Sequence, residues 1–536
     1  LHLRKLTTSS ALLVFLILGL MLAATGCPAA EAPEEDVDDE PEDVEEDVDD
    51  EPDVMDPAAE ELIVGVPAGM RSPHPGIMGD LNTQIPMRNV YEALIRRDEN
   101  MELQPLLATS WEALDDVTWE FELREGVEFH DGTEFTAEDV EACVNWILEP
   151  ENAAAWAHSI ELIEEVNVVD DHTIQFVTEE PFPTLPNMFA QFLMWPAHVV
   201  DESEEFFGEN WVGTGPYQLS DWRRDEHIRL EANDNYWGGD PPVQKVEFRP
   251  IPEDGTRQGA FYAGEIDVAF AISVDAVPEV EAVPHGEIAS VPGTRVVAHL
   301  FQLWHEDEPY MDKRVRQAFN YAVDVDEIME TILEGFAYET PAYVSDLNPH
   351  KNPNIEPYGF DPDKAVELIR EAGYEPEDID HTIHTCSGRY IRDADISEAI
   401  ASYLSDIGIN VDIQRHEWAT YLEGRDAKDH VGSALWGVLD NTSDGPSYFG
   451  KRFIEAQKMS IGFYDPELDQ RVTEAMQIMD PDEREAASWE IEEWIHDFAP
   501  MIFLFNYEDI YAHNSDYEFN PKPDQLFRVF WDMEVR

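Results

Sequence analysis

Lysine is nearly missing from this chain. It supplies 9 of 536 residues, against 24 arginines and 116 acidic residues, and the formal net charge is −83. Such an excess of negative charge argues against nucleic acid and anionic lipid as partners, because both demand a basic face. It also destabilises a compact state by self-repulsion unless salt screens it, and at molar salt the Debye length is only about 3 Å. A source living in concentrated salt is therefore expected. Cysteine is scarcer still, with Cys27, Cys143 and Cys386 alone. No Cys/His spacing of a metal site is present, so neither a metal nor a cofactor is expected. HExxH, GxSxG and GxxxxGK(S/T) are all missing, and with them the usual signatures of zinc hydrolases, serine hydrolases and phosphate-loop enzymes. Gly213-Thr214-Gly215-Pro216 lacks a third glycine and reads as a tight turn. The apolar run from Ala11 to Ala24 is shorter than the roughly 20 residues of a membrane span.

That run follows Arg4 and Lys5 and ends in Ala24-Thr25-Gly26-Cys27. A basic head, a short apolar segment and small residues make an export signal. With a cysteine directly after the small residues, it resembles a bacterial lipoprotein signal, which is cut before the cysteine and lipidated on it. Residues 1–26 are thus expected to be a signal. Cys27 would be a lipid anchor, holding the rest outside the cytoplasm at a membrane face, in a periplasm or at a cell surface. Residues 27–57 read as the tether. From Glu31 to Asp56 there are 17 acidic residues and no basic one, and EEDVDDEPEDV beginning at Glu34 recurs almost unchanged from Glu45. Like charges at this density repel, and little is available to bury, so an extended, disordered spacer is expected. Without signal and tether, residues 57–536 still carry a net charge of −68.

The remaining body is too long for one core, and two or three packed units are expected. Its patterning is mixed α/β. Trp119, Phe121 and Leu123 alternate with polar residues, as in a half-buried strand. Thr136 and Asp139 form a capping box for a helix whose stripe is Val140, Cys143, Val144, Ile147 and Leu148, so Cys143 should be a buried free thiol. Asp361-Pro362 opens another helix and Gly373 stops it. Ile396, Ala399, Ile400, Tyr403, Leu404 and Ile407 mark a third. After Gly408 the period changes to two at Ile409, Val411 and Ile413, a helix-to-strand unit typical of a sheet covered by helices.

Several stretches together carry a resemblance. They are Asn89-Val90-Tyr91-Glu92-Ala93-Leu94; Pro105 to Glu112; Phe121 to Gly132 leading into Thr136-Ala137-Glu138-Asp139-Val140; Gly213 to Tyr217; Asn235 to Pro242; Arg314 to Ala318; and Tyr358 to Ala365. In this order the chain, from about Leu62 to its C-terminus, resembles the extracytoplasmic solute-binding proteins of ABC importers, peptide/nickel class, family 5. The resemblance implies an α/β fold of two lobes, the periplasmic-binding-protein architecture with an extra subdomain in lobe I and a ligand cleft between the lobes. It implies lobe I at 58–300, lobe II at 301–500 and a return to lobe I at 501–536, with crossings near Arg295–Phe301 and Pro500–Phe505. The implied function is that of a receptor, not an enzyme. A monomer would capture a small peptide, di- or oligopeptide, by hinge closure and deliver it to ABC permease subunits in the membrane. An oligosaccharide, a nickel chelate or an opine-like solute is the alternative cargo.

Site residues follow from the same resemblance. Trp436-Gly437-Val438-Leu439-Asp440-Asn441 is similar to the segment whose Asp pairs with the α-ammonium of a dipeptide, which assigns that role to Asp440 beside Asn441. A loop Asp capping a turn is the other reading of Asp440. Arg389, with Tyr390 beside it, matches the position from which an Arg takes the ligand carboxylate, a geometry suited to a guanidinium fork. Trp436 and Trp418 are candidate cleft walls. Trp304 stands where relatives carry Asn. His381, His384 and His416 form no compelling nickel site.

Overall fold

The computed structural model describes residues 61–77, 79–440, 442–454, 462 and 465–536. The expected signal, the tether, Cys27 and Asn441 lie outside the described residues. Within them, local chemistry and observed elements agree closely. Thr136 caps the helix Ala137–Leu148, its backbone N–H donating to Asp139 Oδ2 at 2.8 Å. Val140, Cys143, Val144 and Ile147 are buried on that helix, and the Cys143 thiol donates to the Trp195 carbonyl at 3.2 Å. Burial pushes that thiol far above its ordinary pKa, so it stays protonated and inert. Asp361 accepts from Lys364 N at 2.9 Å and opens the helix Pro362–Glu371. The alternating strand is Thr118–Leu123, in a four-stranded antiparallel sheet with Ala108–Ala113, Thr173–Thr178 and Ile163–Asp170.

Among the described residues the main sheet has eleven strands. In chain order they are β1 (Glu61–Val66), β2 (Tyr217–Arg223), β3 (His227–Ala232), β4 (Lys245–Pro250), β5 (Val268–Ala269), β6 (Gly286–Phe301), β7 (Ala337–Glu339), β8 (Asp380–Cys386), β9 (Asn410–His416), β10 (Ser433–Leu439) and β11 (Met501–Asn514). Their spatial order is β9-β8-β10-β6-β11-β5-β1-β4-β3-β2, with β7 on β11. Strands β6 and β11 are antiparallel and run through the middle of the sheet. The first half of β6, 286–292, pairs with 508–514; after a register shift between Pro292 and Val296, residues 296–300 pair with 501–506. Gly293 sits in that shift because a Cβ there would lie 2.8 Å from the Tyr507 carbonyl.

The hydrophobic cores change over along the same two strands. Leu62, Val64, Phe121, Phe176, Trp195, Val246, Val291 and Tyr511 belong to one. Val297, Phe301, Phe319, Ile383, Ile400, Leu435, Leu504 and Phe505 belong to another, with a third around Leu300, Tyr448, Val472 and Phe503. A fourth lies around Phe261, Ile266, Val280 and Ile510, so β6 and β11, with their register shift, run past several packed cores from one half of the sheet to the other.

Several residues that carry the family resemblance hold the scaffold together. Glu92 is 4% exposed and accepts from Thr214 Oγ1 at 2.8 Å, Tyr236 Oη at 2.8 Å and Trp237 Nε1 at 2.9 Å. Three of the quoted stretches therefore meet on one carboxylate. Burial pushes that carboxyl up to about 7, against the pull of the three donors. The expected tight turn at Gly213 packs on the backbone of Val90, whose carbonyl would stand 2.0 Å from a Cβ at Gly213. In the other half, buried Arg316 donates to the carbonyls of Tyr310, Met311, Phe498 and Ala499, tying a helix start to the chain's return.

Candidate functional site

At the level of the register shift a cavity of about 360 Å³ opens between the two halves. Gln84, Arg97, Met101, Trp156 and Gln191 line it from the first half, Arg389, Leu439 and Asp440 from the second. Thr294 and Arg295 come from β6 itself, and Asp524, Gln525 and Leu526 from the C-terminal return.

Asp440 follows the last residue of β10 and is 2% exposed. Its Oδ2 accepts from Asn348 Nδ2 at 2.6 Å, and its Oδ1 from the backbone N–H groups of Thr442 at 3.3 Å and Ser443 at 3.1 Å. Both readings of this residue therefore have a basis: it closes an Asx-type turn and it lines the cavity. Its own N–H donates to Thr294 O at 3.1 Å, which pins it to the register shift.

Arg389 sits in a turn that Asp393 organises. The Asp393 carboxylate accepts from the backbone N–H groups of Gly388 at 3.1 Å, Arg389 at 2.9 Å and Tyr390 at 3.2 Å. Gly388 adopts φ +76°, which a glycine supplies without strain. Among the described residues the Arg389 guanidinium meets no carboxylate. It lies over the rings of Tyr390 and Trp418, at 5.1 and 5.2 Å from their centroids. Tyr390, Trp418 and Trp436 are not on the cavity wall. They stand behind it, Trp418 stacking on Trp436 at 5.7 Å and on Tyr421 at 5.7 Å. Trp304 lies away from the cavity, with the Lys428 ammonium over its ring at 4.2 Å.

Two cavity cations, Arg295 and Arg97, and one positioning carboxylate, Asp393, have no counterpart among the candidates read from sequence. Arg295 is held by little: its Nη1 reaches the Gly437 carbonyl at 3.4 Å. Burial lowers its pKa and the neighbouring Arg389 charge lowers it further, while Asp509 opposes both. Gly437 makes room for it, since a Cβ there would lie 2.9 Å from Arg295 Cδ and 2.8 Å from Tyr390 Cε1. Arg97 is buried, and the charges of Asp524 and Asp440 support its ionisation against desolvation. A lone cation inside an otherwise buried strand, Thr-Arg-Val-Val, was the available signal for Arg295. Arg97 and Asp393 left none, because a charged residue beside a strand end or in a first helical turn is common. Chemically, the cavity walls carry three carboxylates, Asp80, Asp440 and Asp524, and three guanidinium groups, Arg97, Arg295 and Arg389. Asp80 caps a helix and Asp524 pairs with Arg528 at 2.5 Å, which leaves Asp440 as the carboxylate without an ion pair among the described residues. Charge-assisted hydrogen bonds to such groups are strong.

Comparison with known proteins gives a consistent answer. Residues 102–459 match the family described as bacterial extracellular solute-binding proteins, family 5 Middle. A glutathione-binding protein, GsiB, of Pectobacterium atrosepticum is 26% identical over 487 residues, covering 88% of this chain and 93% of that one. Among solved structures, the periplasmic binding protein DppA from Helicobacter pylori, in complex with the peptide STSA, is 26% identical with a TM-score of 0.70, over 89% of this chain and 98% of that one. The substrate-binding protein CtaP from Listeria monocytogenes has a TM-score of 0.81 at 23% identity, over 89% of this chain and 99% of that one.

Proposed function

The chain belongs to the bacterial extracellular solute-binding proteins of family 5, and from that premise we propose that it captures short peptides between its two lobes for an ABC importer. The observation that carries this is the charge layout of the cavity, with Asp440 and the guanidinium groups of Arg389 and Arg295 in one enclosed space. A peptide's α-ammonium goes to Asp440 and its carboxylate to the arginine pair. The volume of about 360 Å³ lies at the small end of the roughly 300–1,000 Å³ typical of ligand pockets, which favours short peptides. Trp418, Trp436 and Tyr390 act as the backing of Arg389, and Asn441 borders Asp440. Lobe I comprises residues 58–300 together with the return at 501–536, and lobe II residues 301–500. Ligand closes the lobes because it contacts both only when they are closed. The role is delivery to a permease rather than catalysis. Lipidation at Cys27 would hold the protein at the membrane, with the acidic segment as spacer and concentrated salt as its working medium.

The test is thermal unfolding of the lipid-free protein in molar KCl with di- to pentapeptides, their N-acetylated forms, oligosaccharides and nickel–histidine. A ligand at 100 times its Kd adds about 2.7 kcal/mol of stability. Peptides should shift the transition and their N-acetylated forms should not. Asp440→Asn should weaken peptide binding by at least about 2 kcal/mol, the scale for disrupting a buried charged pair. A shift with sugars or nickel–histidine and none with peptides would replace the cargo and remove both charged assignments.

A further inference from the structure

The second half of the sheet gathers three histidines that the cavity does not use. His384 lies within β8, His416 ends β9 and His430 precedes β10, and β8 is the middle strand of the three. One ring nitrogen from each lies within 4.8 Å of the others. His384 Nε2 stands 3.1 Å from the Val431 carbonyl, which can only accept, so this nitrogen carries the proton and Nδ1 is bare. That bare Nδ1 faces His416 Nε2 at 3.1 Å. His430 is 3% exposed, and among the described residues neither of its ring nitrogens has a hydrogen-bond partner. A buried polar group left unpartnered is costly and calls for a reason. His381, the fourth histidine of this region, is otherwise engaged, on Ser433 Oγ at 2.9 Å.

We propose that His384, His416 and His430 form a binding site for a single late first-row divalent cation, of the Zn²⁺, Ni²⁺ or Cu²⁺ class. Three imidazoles and no oxygen ligand suit these borderline ions and not Mg²⁺ or Ca²⁺. The geometry supplies the ligand atoms: one nitrogen from each ring lies within 4.8 Å of the others, and both nitrogens of His430 are without a hydrogen-bond partner among the described residues. The carbonyl of Val431 is the outer partner that fixes the tautomer and aim of His384.

Without an ion the rings stack, His384 on His430 at 4.2 Å and 14°. Metal–nitrogen bonds of about 2.0–2.1 Å draw the three ligand atoms of a tetrahedral site to about 3.3 Å apart, so the rings must turn toward one another. Turning His430 breaks no hydrogen bond. His416 gives up the Nε2–H bond it donates to His384 Nδ1, its ring proton passing to its own Nδ1 so that Nε2 can take the ion, and His384 keeps its bond to Val431. A fourth coordination position remains for water. The helix Trp418–Asp426 covers the site with Gly424 against His430, where a Cβ would lie 2.5 Å from Nε2. An ion there ties β8, β9 and the approach to β10 together beneath that helix, and holding the folded form it raises stability.

The experiment uses untagged full-length protein stripped with EDTA. Titration with Zn²⁺ followed by calorimetry should give one site per chain, the unfolding temperature should rise with Zn²⁺, and Co²⁺ should give a visible ligand-field spectrum. His430→Phe keeps the ring stack and removes the nitrogens. His416→Ala removes a second ligand. Each should weaken Zn²⁺ binding by at least about 100-fold, beyond the 10–100-fold typical of losing an outer partner alone, while exposed His198→Asn changes nothing. Absence of binding at 100 µM Zn²⁺ as a chosen ceiling, on the order of weak adventitious affinity, would overturn the proposal. Equal affinity of wild type and His430→Phe would also overturn it and leave the trio as a packing stack.

Discussion

Glu92 and Asp440 are both carboxylates almost wholly withdrawn from water, and they occupy opposite kinds of surroundings. Glu92 is enclosed by neutral donors, Thr214, Tyr236 and Trp237, all fixed in the first half of the sheet. Asp440 is also satisfied by neutral donors, but it borders a cavity and its charge supports Arg97 on the far wall. The first carboxylate has nothing left to bind, and burial pushes it up to about 7. The second stands where a ligand cation can reach it. Polar burial builds scaffold when the group faces only its own half, and builds a site when it faces the other.

The strongest way to press this distinction is at a scaffold pair inside the half that carries Asp440. Arg484 donates to Asp444 Oδ1 at 2.6 Å and Oδ2 at 2.5 Å, with both side chains almost fully buried, and Asp444 also caps the helix Gly445–Phe453. Arg484→Ala leaves that buried carboxylate with His350 Nδ1, at 3.2 Å, as its one remaining charge partner among the described residues and should cost about 3 kcal/mol of stability, read by denaturant unfolding. The affinity of the protein that remains folded should be unchanged.

Comparable in size is the pH response of Glu92. Its folded value of about 7 exceeds the ordinary 4.5, so between these values the folded state holds more protons than the unfolded one. Stability from this group is therefore present below pH 4.5 and lost as pH rises to 7, by about 3 kcal/mol at 1.36 kcal/mol per unit. Glu92→Gln presents the same shape without the charge. Relative to wild type it should gain that amount between pH 4.5 and 8, measured by urea unfolding, with peptide affinity unaffected.

The smallest effect belongs to the site. Arg389→Lys exchanges a planar fork for a point charge and should weaken peptide binding by about 1.5 kcal/mol, the lower range for a charged hydrogen bond. Stability without ligand should move by less than about 0.5 kcal/mol, as for a residue outside the core. A larger loss of stability would move Arg389 from site to scaffold.

Much of the scaffold was legible because its causes are local. Thr136 with Asp139, Asp361 before Pro362, and Gly408 between the helix Asp393–Asp406 and β9 act on neighbours a few residues away, so the sequence displays them directly. The sheet order was not legible, since it depends on β6 and β11 pairing across two hundred residues of chain. The site divides in the same manner. Asp440 and Arg389 sit at strand ends within recognisable segments and do line the cavity. Trp418 and Trp436 share an aromatic signature with wall residues, yet a stack one layer back has the same sequence appearance. Arg97 and Arg295 reach the cavity only once the two halves are assembled. His430 gained meaning only when β9, β8 and β10 lay side by side.

Gly437 is not on the cavity wall and has no side chain to contribute, yet it governs which charges the cavity presents. The missing methyl is the space that Arg295 and the Tyr390 ring share. An alanine there would evict one of them, and with it either the second guanidinium or the platform under the first. Selectivity in such a receptor can drift through a position that a contact map of the bound complex would never mark. Ligand preference across relatives is therefore better read from the vacancies behind the wall than from the wall alone.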